Sequence, residues 1–191
     1  MQREIFLASK SPRRRELIAE LGLPFVFGSP DADETVPEGT EPMDAAILVA
    51  RRKADAARSL PEAAGRIIVS ADTIVVVDGR IFGKPADRDD ACAMLAALSG
   101  RAHQVMTGVC VVLPDGRSGS FCECTDVCFY ALTEEEISSY VDTGEPMDKA
   151  GAYGIQGIGK LLVEGIKGDY YNVVGLPVAR LSRFIDSLFS K

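Results

Sequence analysis

Residues 5–21 read IFLASKSPRRRELIAEL, and no other stretch of the chain so narrows the folds open to it. A short apolar run, Ile5 to Ala8, breaks into Ser9, Lys10, Ser11 and Pro12. An amphipathic pattern follows, with Leu17, Ile18 and Leu21 on one side. Ser11 occupies the place of an N-cap and Pro12 that of the first helical residue. The expectation is a strand, a tight turn and a helix. Arg13, Arg14 and Arg15 lie in that helix's first turn, against the helix dipole, so they need an anion or some other reason to be there. Backbone N–H groups and guanidinium forks at such a place can face one phosphate chain. A solvated basic helix start remains the alternative.

The rest of the sequence mixes strands and helices without strict alternation. Residues 24–28 read as a second short strand, and Ser29 to Pro42 as an acidic loop carrying Asp31, Asp33 and Glu34. Residues 43–58 have helical periodicity. Ile67–Val69 and Ile74–Val77 are β-branched runs, and Asp78-Gly79 has the form of a hairpin turn. A helix is expected at 87–98, and two longer strands at about 103–113 and 119–130 around Pro114-Asp115-Gly116. Thr133 with the glutamates after it starts a helix reaching about Val141. A Gly-rich segment, a strand near 160–164 and a helix from about Pro177 to Phe189 close the chain. The pattern predicts an α/β fold whose twisted sheet is mixed rather than purely parallel.

The chain has 191 residues, 47% of them hydrophobic and 26% charged. That is the composition of an ordinary soluble domain, and one domain over 1–191 is expected, with room for two lobes. No apolar run reaches the ~18 residues of a membrane span, and the N-terminus shows no signal-peptide pattern. A net charge of −7 speaks against a nucleic-acid polymer as partner. A small anion remains compatible with it, because Arg13, Lys53 and Lys84 need only converge locally. The five cysteines are an odd count and lack CxxC spacing, and His103 is the sole histidine. Reduced cysteines packed in a sheet, in the cytoplasm, suit this better than a zinc site.

Three places can carry chemistry. Asp72 interrupts the most apolar part of the chain, and a carboxylate there is costly unless a cation, a metal or donors sit beside it. It reads as a metal ligand, a general base or a strand-end turn residue. Gly83-Lys84-Pro85 adds a lysine on a restricted backbone. With Arg13, Lys53 and Glu34 these form a set in which cations balance a polyphosphate and carboxylates hold a divalent ion and polarise water. In DKAGAYGIQG, residues 148–157, glycines interleave with Tyr153 and Gln156. Close backbone approach, a ring and an amide with both donor and acceptor suit recognition of a base edge.

Taken together, LASKSPRRREL at 7–17, Glu34, Lys53, SADTIV at 70–75, GKP at 83–85, SGRAHQVMTG at 99–108, DKAGAYGIQG at 148–157 and VVGLP at 173–177 resemble the Maf family of nucleoside triphosphate pyrophosphatases. The SPRR, ADT and AGAYGIQG versions look like the branch that prefers dTTP and UTP. The resemblance implies an α/β fold with a mixed sheet lining an elongated nucleotide-binding cleft, and a homodimer in keeping with other members. It implies hydrolysis between the α- and β-phosphates, with Mg²⁺ or Mn²⁺ held by Asp72 and Glu34. Asp72 matches the proton acceptor, and Lys53 and Lys84 join Glu34 in the catalytic set. Ser9, Ser11, Arg13 and Arg14 would hold the substrate from the turn, and Thr73, Tyr153 and Gln156 from elsewhere. Arg13, Thr73 and Gln156 match the specificity positions. Two other readings are a non-catalytic nucleotide sensor acting on cell division and a purine (ITP or XTP) house-cleaning pyrophosphatase.

Overall fold

Serine and proline stop the first strand and start the first helix. In the computed structural model, which describes residues 3–190, β1 (Ile5–Ala8) is buried at all four positions. It leads into α1 (Pro12–Ala19), where the Ser11 side chain caps by accepting from the Arg14 amide and proline stands in the first turn. Next come β2 (Phe25–Gly28), α2 (Pro42–Ala57), β3 (Ile67–Val77), β4 (Arg80–Phe82), α3 (Arg88–Leu98), β5 (Ala102–Val112) and β6 (Ser118–Phe129). After α4 (Glu134–Val141) the chain makes three 3₁₀ segments, then β7 (Val163–Lys167), α5 (Tyr170–Val174) and α6 (Val178–Phe189).

The strands form one open seven-stranded sheet in the order β2-β1-β3-β5-β6-β7, with β4 paired to β3. β1 runs parallel to both β2 and β3, whereas β3–β4 and β6–β7 are antiparallel. The sheet is therefore mixed and flanked by helices, as the pattern of elements predicts. The two β-branched runs around Asp72 belong to one eleven-residue strand, so Asp72 is not a strand-end turn residue. The strand expected near 160–164 lies instead at Val163–Lys167, because Gly157–Leu162 turn as a 3₁₀ helix. α5 leaves no mark in the sequence pattern, since five residues are too few to show a helical period.

The chain divides into two compact units, each built from separated segments. The first takes the chain up to Asp72, Thr107–Glu123 and the chain from Gly175; the second takes Thr73–Met106 and Cys124–Val174. In the first unit Ala50, Ala54 and Ala57 of α2 pack on Phe6, Ala8, Ile68, Cys110 and Val112. These small side chains let the helix come close to the sheet. At Gly108 a Cβ would lie 2.3 Å from the Ala46 carbonyl, so β5 passes directly against the helix backbone and only glycine fits.

The second unit has a core of its own, in which Val75, Leu95, Leu98, Val105, Val127, Ile137 and Tyr153 are buried together with Phe129. Its helices are capped by side chains. Asp87 accepts from the Asp90 amide at the start of α3, and Thr133 and Glu136 form a reciprocal capping box at α4.

Candidate active site

In the first unit a buried hydrogen bond joins α2 to β3. The Ser70 hydroxyl, fully buried, donates to the Ala50 carbonyl at 2.6 Å. Three residues further along the helix is Lys53, and two residues further along the strand, on the same face, is Asp72. The Lys53 ammonium accordingly meets Asp72 Oδ1 at 2.8 Å, with both side chains mostly buried. It also meets Glu34 Oε1 at 3.1 Å. Glu34 reaches Lys53 from a loop pinned to the same helix: Arg52 pairs with Asp33 at 3.2 Å and donates to the Thr35 carbonyl. Lys53 thus draws two carboxylates to one point.

The turn after β1 adds cations to this unit. Ser9 Oγ accepts from the Ser11 amide at 3.2 Å and from Arg14 Nη1 at 3.4 Å. Arg14 Nε donates to the Gly175 carbonyl at 2.8 Å. Burial pulls the Arg14 guanidinium below its usual pKa; the charges of Asp72 and Glu34 oppose that pull, and Arg13 adds to it. Arg15 departs from the expectation that all three arginines face one anion. Its guanidinium lies over the Phe27 ring, 4.5 Å from the centroid, so its position has a cation–π explanation.

In the second unit Thr73 follows Asp72 directly on β3, and Lys84 is exposed after β4. The Gly151 amide donates to the Gly83 carbonyl at 2.9 Å, which ties the lysine's segment to the Gly-rich one. At Gly151, φ is +69° and a Cβ would strike Val75 at 2.8 Å, so glycine is required there. Gln156 is exposed, whereas Tyr153 is only 5% exposed. The Tyr153 hydroxyl is 2.7 Å from His103 Nε2, and its ring meets His103 and Phe129 edge to face. Burial pushes the tyrosine's pKa up. Tyr153 anchors its segment in the core.

Sequence reasoning assigns no role to Ser70, Arg52, Tyr140, Glu145 or His103. Ser70 is visible as a polar residue in an apolar run, and Glu145 as an acid between glycine and proline. Ser70's partner Ala50 is twenty residues away and on another element, and Glu145's amide partners Ile158 and Gly159 are thirteen and fourteen residues away. Among the described residues, no three His, Cys, Asp or Glu side chains gather as a metal site. Among these residues the five cysteines form no disulfide, and no helix is long and apolar enough to cross a membrane.

Comparison with solved structures places the fold first. The Ham1 protein of Staphylococcus aureus aligns with a TM-score of 0.57 at 14% identity, covering 97% of this chain and 99% of that one. A HAM1 protein from Coxiella burnetii aligns with a TM-score of 0.52 at 16% identity. The chain therefore has the Ham1-like α/β fold. The Maf-like protein family profile matches residues 4–188, and the chain belongs to that family. It is 51% identical over 182 residues to the dTTP/UTP pyrophosphatase of Carboxydothermus hydrogenoformans, covering 94% of this chain and 96% of the relative. It is 46% identical to the dTTP/UTP pyrophosphatase of Bacillus velezensis, covering 96% and 95%.

Proposed function

We propose that this chain is a nucleoside triphosphate pyrophosphatase that hydrolyses dTTP and UTP to the monophosphate and pyrophosphate. The observation that carries the reading is 46–51% identity, over nearly the whole length, to relatives bearing that activity in their names. The grouping of Lys53, Asp72, Glu34 and Arg14 supports it. A nucleotide sensor needs no carboxylate for activating water, and Gln156 with Arg13 favours the pyrimidine reading over the purine one.

In this mechanism Arg13, Arg14 and the Ser9–Ser11 turn bind the triphosphate chain, with the α1 N-terminus contributing its dipole. Lys53 holds Asp72 in place and adds positive charge beside the phosphates. Asp72 accepts the proton of the attacking water at a carboxylate oxygen. Lys84 balances charge on the leaving pyrophosphate. Gln156 pairs with the C=O and N–H edge shared by uracil and thymine, and Thr73 and Arg13 complete the selection. Tyr153 serves by anchoring the segment that carries Gln156.

Asp72 and Glu34 suit a divalent cation. Mg²⁺ is commonly held by one or two carboxylates, with substrate phosphates and water completing its shell, and these two carboxylates already converge on Lys53. When bound, Mg²⁺ or Mn²⁺ would neutralise charge on the phosphates as the bond breaks. The odd number of cysteines, without CxxC spacing, suits a cytoplasmic setting.

A panel of nucleotides assayed for pyrophosphate decides the matter. The purified protein should act on dTTP and UTP well above GTP and ITP with Mg²⁺, and not in excess EDTA. Release of orthophosphate would move the cleaved bond, and preference for ITP would establish the purine reading.

A further inference from the structure

From Gly144 to Leu162 the chain has only 3₁₀ turns, yet it is tied by side chains at several points. Glu145 Oε1 accepts from the Tyr140 hydroxyl at 3.0 Å and from the Gly159 amide at 3.1 Å. Glu145 Oε2 accepts from the Ile158 amide at 2.9 Å. The Tyr140 hydroxyl, on a side chain buried in α4, accepts in turn from the Gly154 amide at 3.3 Å. One carboxylate and one phenol thus hold the backbone at 154 and at 158–159.

The glycines of this segment fit the same network. A Cβ at Gly157 would lie 2.6 Å from Glu145 Oε2, and one at Gly159 would lie 2.3 Å from the Gly154 carbonyl and 2.6 Å from the Tyr140 hydroxyl. Between the two tethered points stands Gln156, exposed and with extended backbone. A flexible loop there would let the amide meet a base edge in many orientations and would lose the discrimination that a fixed donor and acceptor provide.

We propose that Glu145 is a positioning residue for base recognition: its carboxylate, acting with the Tyr140 hydroxyl, fixes the backbone on both sides of Gln156. The proposal rests on the reading that Gln156 contacts the base. Three donors converge on two carboxylate oxygens. Glutamine can replace only part of this, because its NH₂ would face a backbone N–H. Burial pushes the Glu145 carboxyl up, but the two amides, Tyr140 and Lys149 together bring it below its usual value, so it is ionised at neutral pH and accepts from all three.

The test compares kcat/KM for dTTP and GTP in the wild type, Glu145→Gln, Glu145→Ala, Tyr140→Phe, Gln156→Ala and the Glu145→Ala/Gln156→Ala double variant, with hydrogen exchange at the Ile158 and Gly159 amides. Glu145→Ala should lower the dTTP:GTP ratio by about tenfold, mainly through a higher KM for dTTP, and speed exchange at both amides. Glu145→Gln should fall between it and wild type. The ratio should fall no further when Glu145→Ala is added to Gln156→Ala. A ratio that drops in Gln156→Ala but holds in Glu145→Ala overturns this proposal alone. A ratio that holds in Gln156→Ala overturns the base-reading assignment and this proposal with it. If Glu145→Ala does not fold, Tyr140→Phe and Glu145→Gln decide: unchanged ratio and unchanged exchange reject the tether.

Discussion

Lys53 and Asp72 meet where a helix and a strand are joined through Ser70, whereas Gln156 stands in an irregular loop tied to Glu145 and Tyr140. In the first unit, Lys53 and Asp72 stand on a helix and a strand that a buried side-chain hydrogen bond and an ion pair join. In the second, the loop's amides are satisfied by side chains, and its tight places are filled by glycine. In the proposed mechanism, placing a proton acceptor against phosphate gains from the stiffer arrangement. Selection among bases tolerates a loop, provided that its tethers are fixed. The two regions should therefore fail differently when broken: the first in turnover, the second in selectivity.

The largest effect is expected at Asp72. Asp72→Asn is nearly isosteric, so circular dichroism should be unchanged, and Glu34 still pairs with Lys53. Losing a general base typically costs about 10²–10⁴ in rate. The fall should appear in kcat for dTTP and for GTP alike, leaving their ratio intact. A variant that keeps wild-type kcat would transfer the base role, most directly to Glu34.

Gly108→Ala should come next, acting on the same region through packing. Its Cβ would meet the Ala46 carbonyl at 2.3 Å, and backbone cannot swing away as a flexible side-chain end can. Overpacking of this kind costs about 1–3 kcal/mol or more, and it should move α2, and Lys53 with it, away from Asp72. Urea unfolding should show the lost stability and kinetics a lowered kcat. In contrast, Gly159→Ala should disturb the tethered loop and show its main effect in the dTTP:GTP ratio. Equal effects of the two variants on that ratio would contradict the division of labour between the regions.

The first region is largely legible in the sequence, and the second only in part. Asp72 in a β-branched run and Ser11-Pro12 before arginines are local signals, and each names its own structural consequence. Helical and strand periods then place Lys53 and Asp72, although the Ser70–Ala50 bond that brings them together spans twenty residues. Arg15 escapes such reading because its partner, Phe27, lies on another element and leaves no local trace. In the second region glycine spacing marks a special backbone, but not what lies against it. Tyr153 reads as a ring for a base, whereas its partners His103 and Phe129 come from distant strands. Irregular loops are fixed by such nonlocal pairs, and a single sequence does not show them.

A pH experiment probes the second region. Burial, with Arg101 nearby, lowers the His103 pKa from 6.5 to about 4, and its Nδ1 is buried without a hydrogen-bond partner among the described residues. The folded protein therefore keeps His103 neutral, while the unfolded chain protonates it below about pH 6.5. Stability from this residue is fully present above the unfolded value and is lost progressively as pH falls from 6.5 towards 4. At pH 5 the loss is about 2 kcal/mol. Urea unfolding of the wild type and His103→Phe at pH 7 and pH 5 should show the wild type losing more by about that amount. Equal losses would mean that His103 opens to solvent and that Tyr153 is not anchored as described.

The smallest effect expected is that of Ser70→Ala, and it bears directly on how the first region is held. The change removes one hydroxyl from a fully buried position and leaves no cavity larger than that oxygen. The Ala50 carbonyl keeps its place in the α2 hydrogen-bond ladder, so the loss is that of one added hydrogen bond, about 1 kcal/mol. Global stability should fall only by that amount. Catalysis is the more sensitive readout, because Lys53 lies one helical turn beyond the released contact and Asp72 two strand residues beyond it. A slight slip of α2 on β3 would lengthen the 2.8 Å contact between them. Expected is a fall in kcat of several-fold, with the dTTP:GTP ratio unchanged, since the tethers of Gln156 lie elsewhere. Ser70→Thr keeps the hydroxyl on a β-branched side chain suited to a strand, and it should hold kcat closer to wild type than Ser70→Ala does. If kcat falls no more than the small loss of folded protein explains, packing of the alanine face alone sets the register of Lys53, and the Ser70 bond is incidental to it.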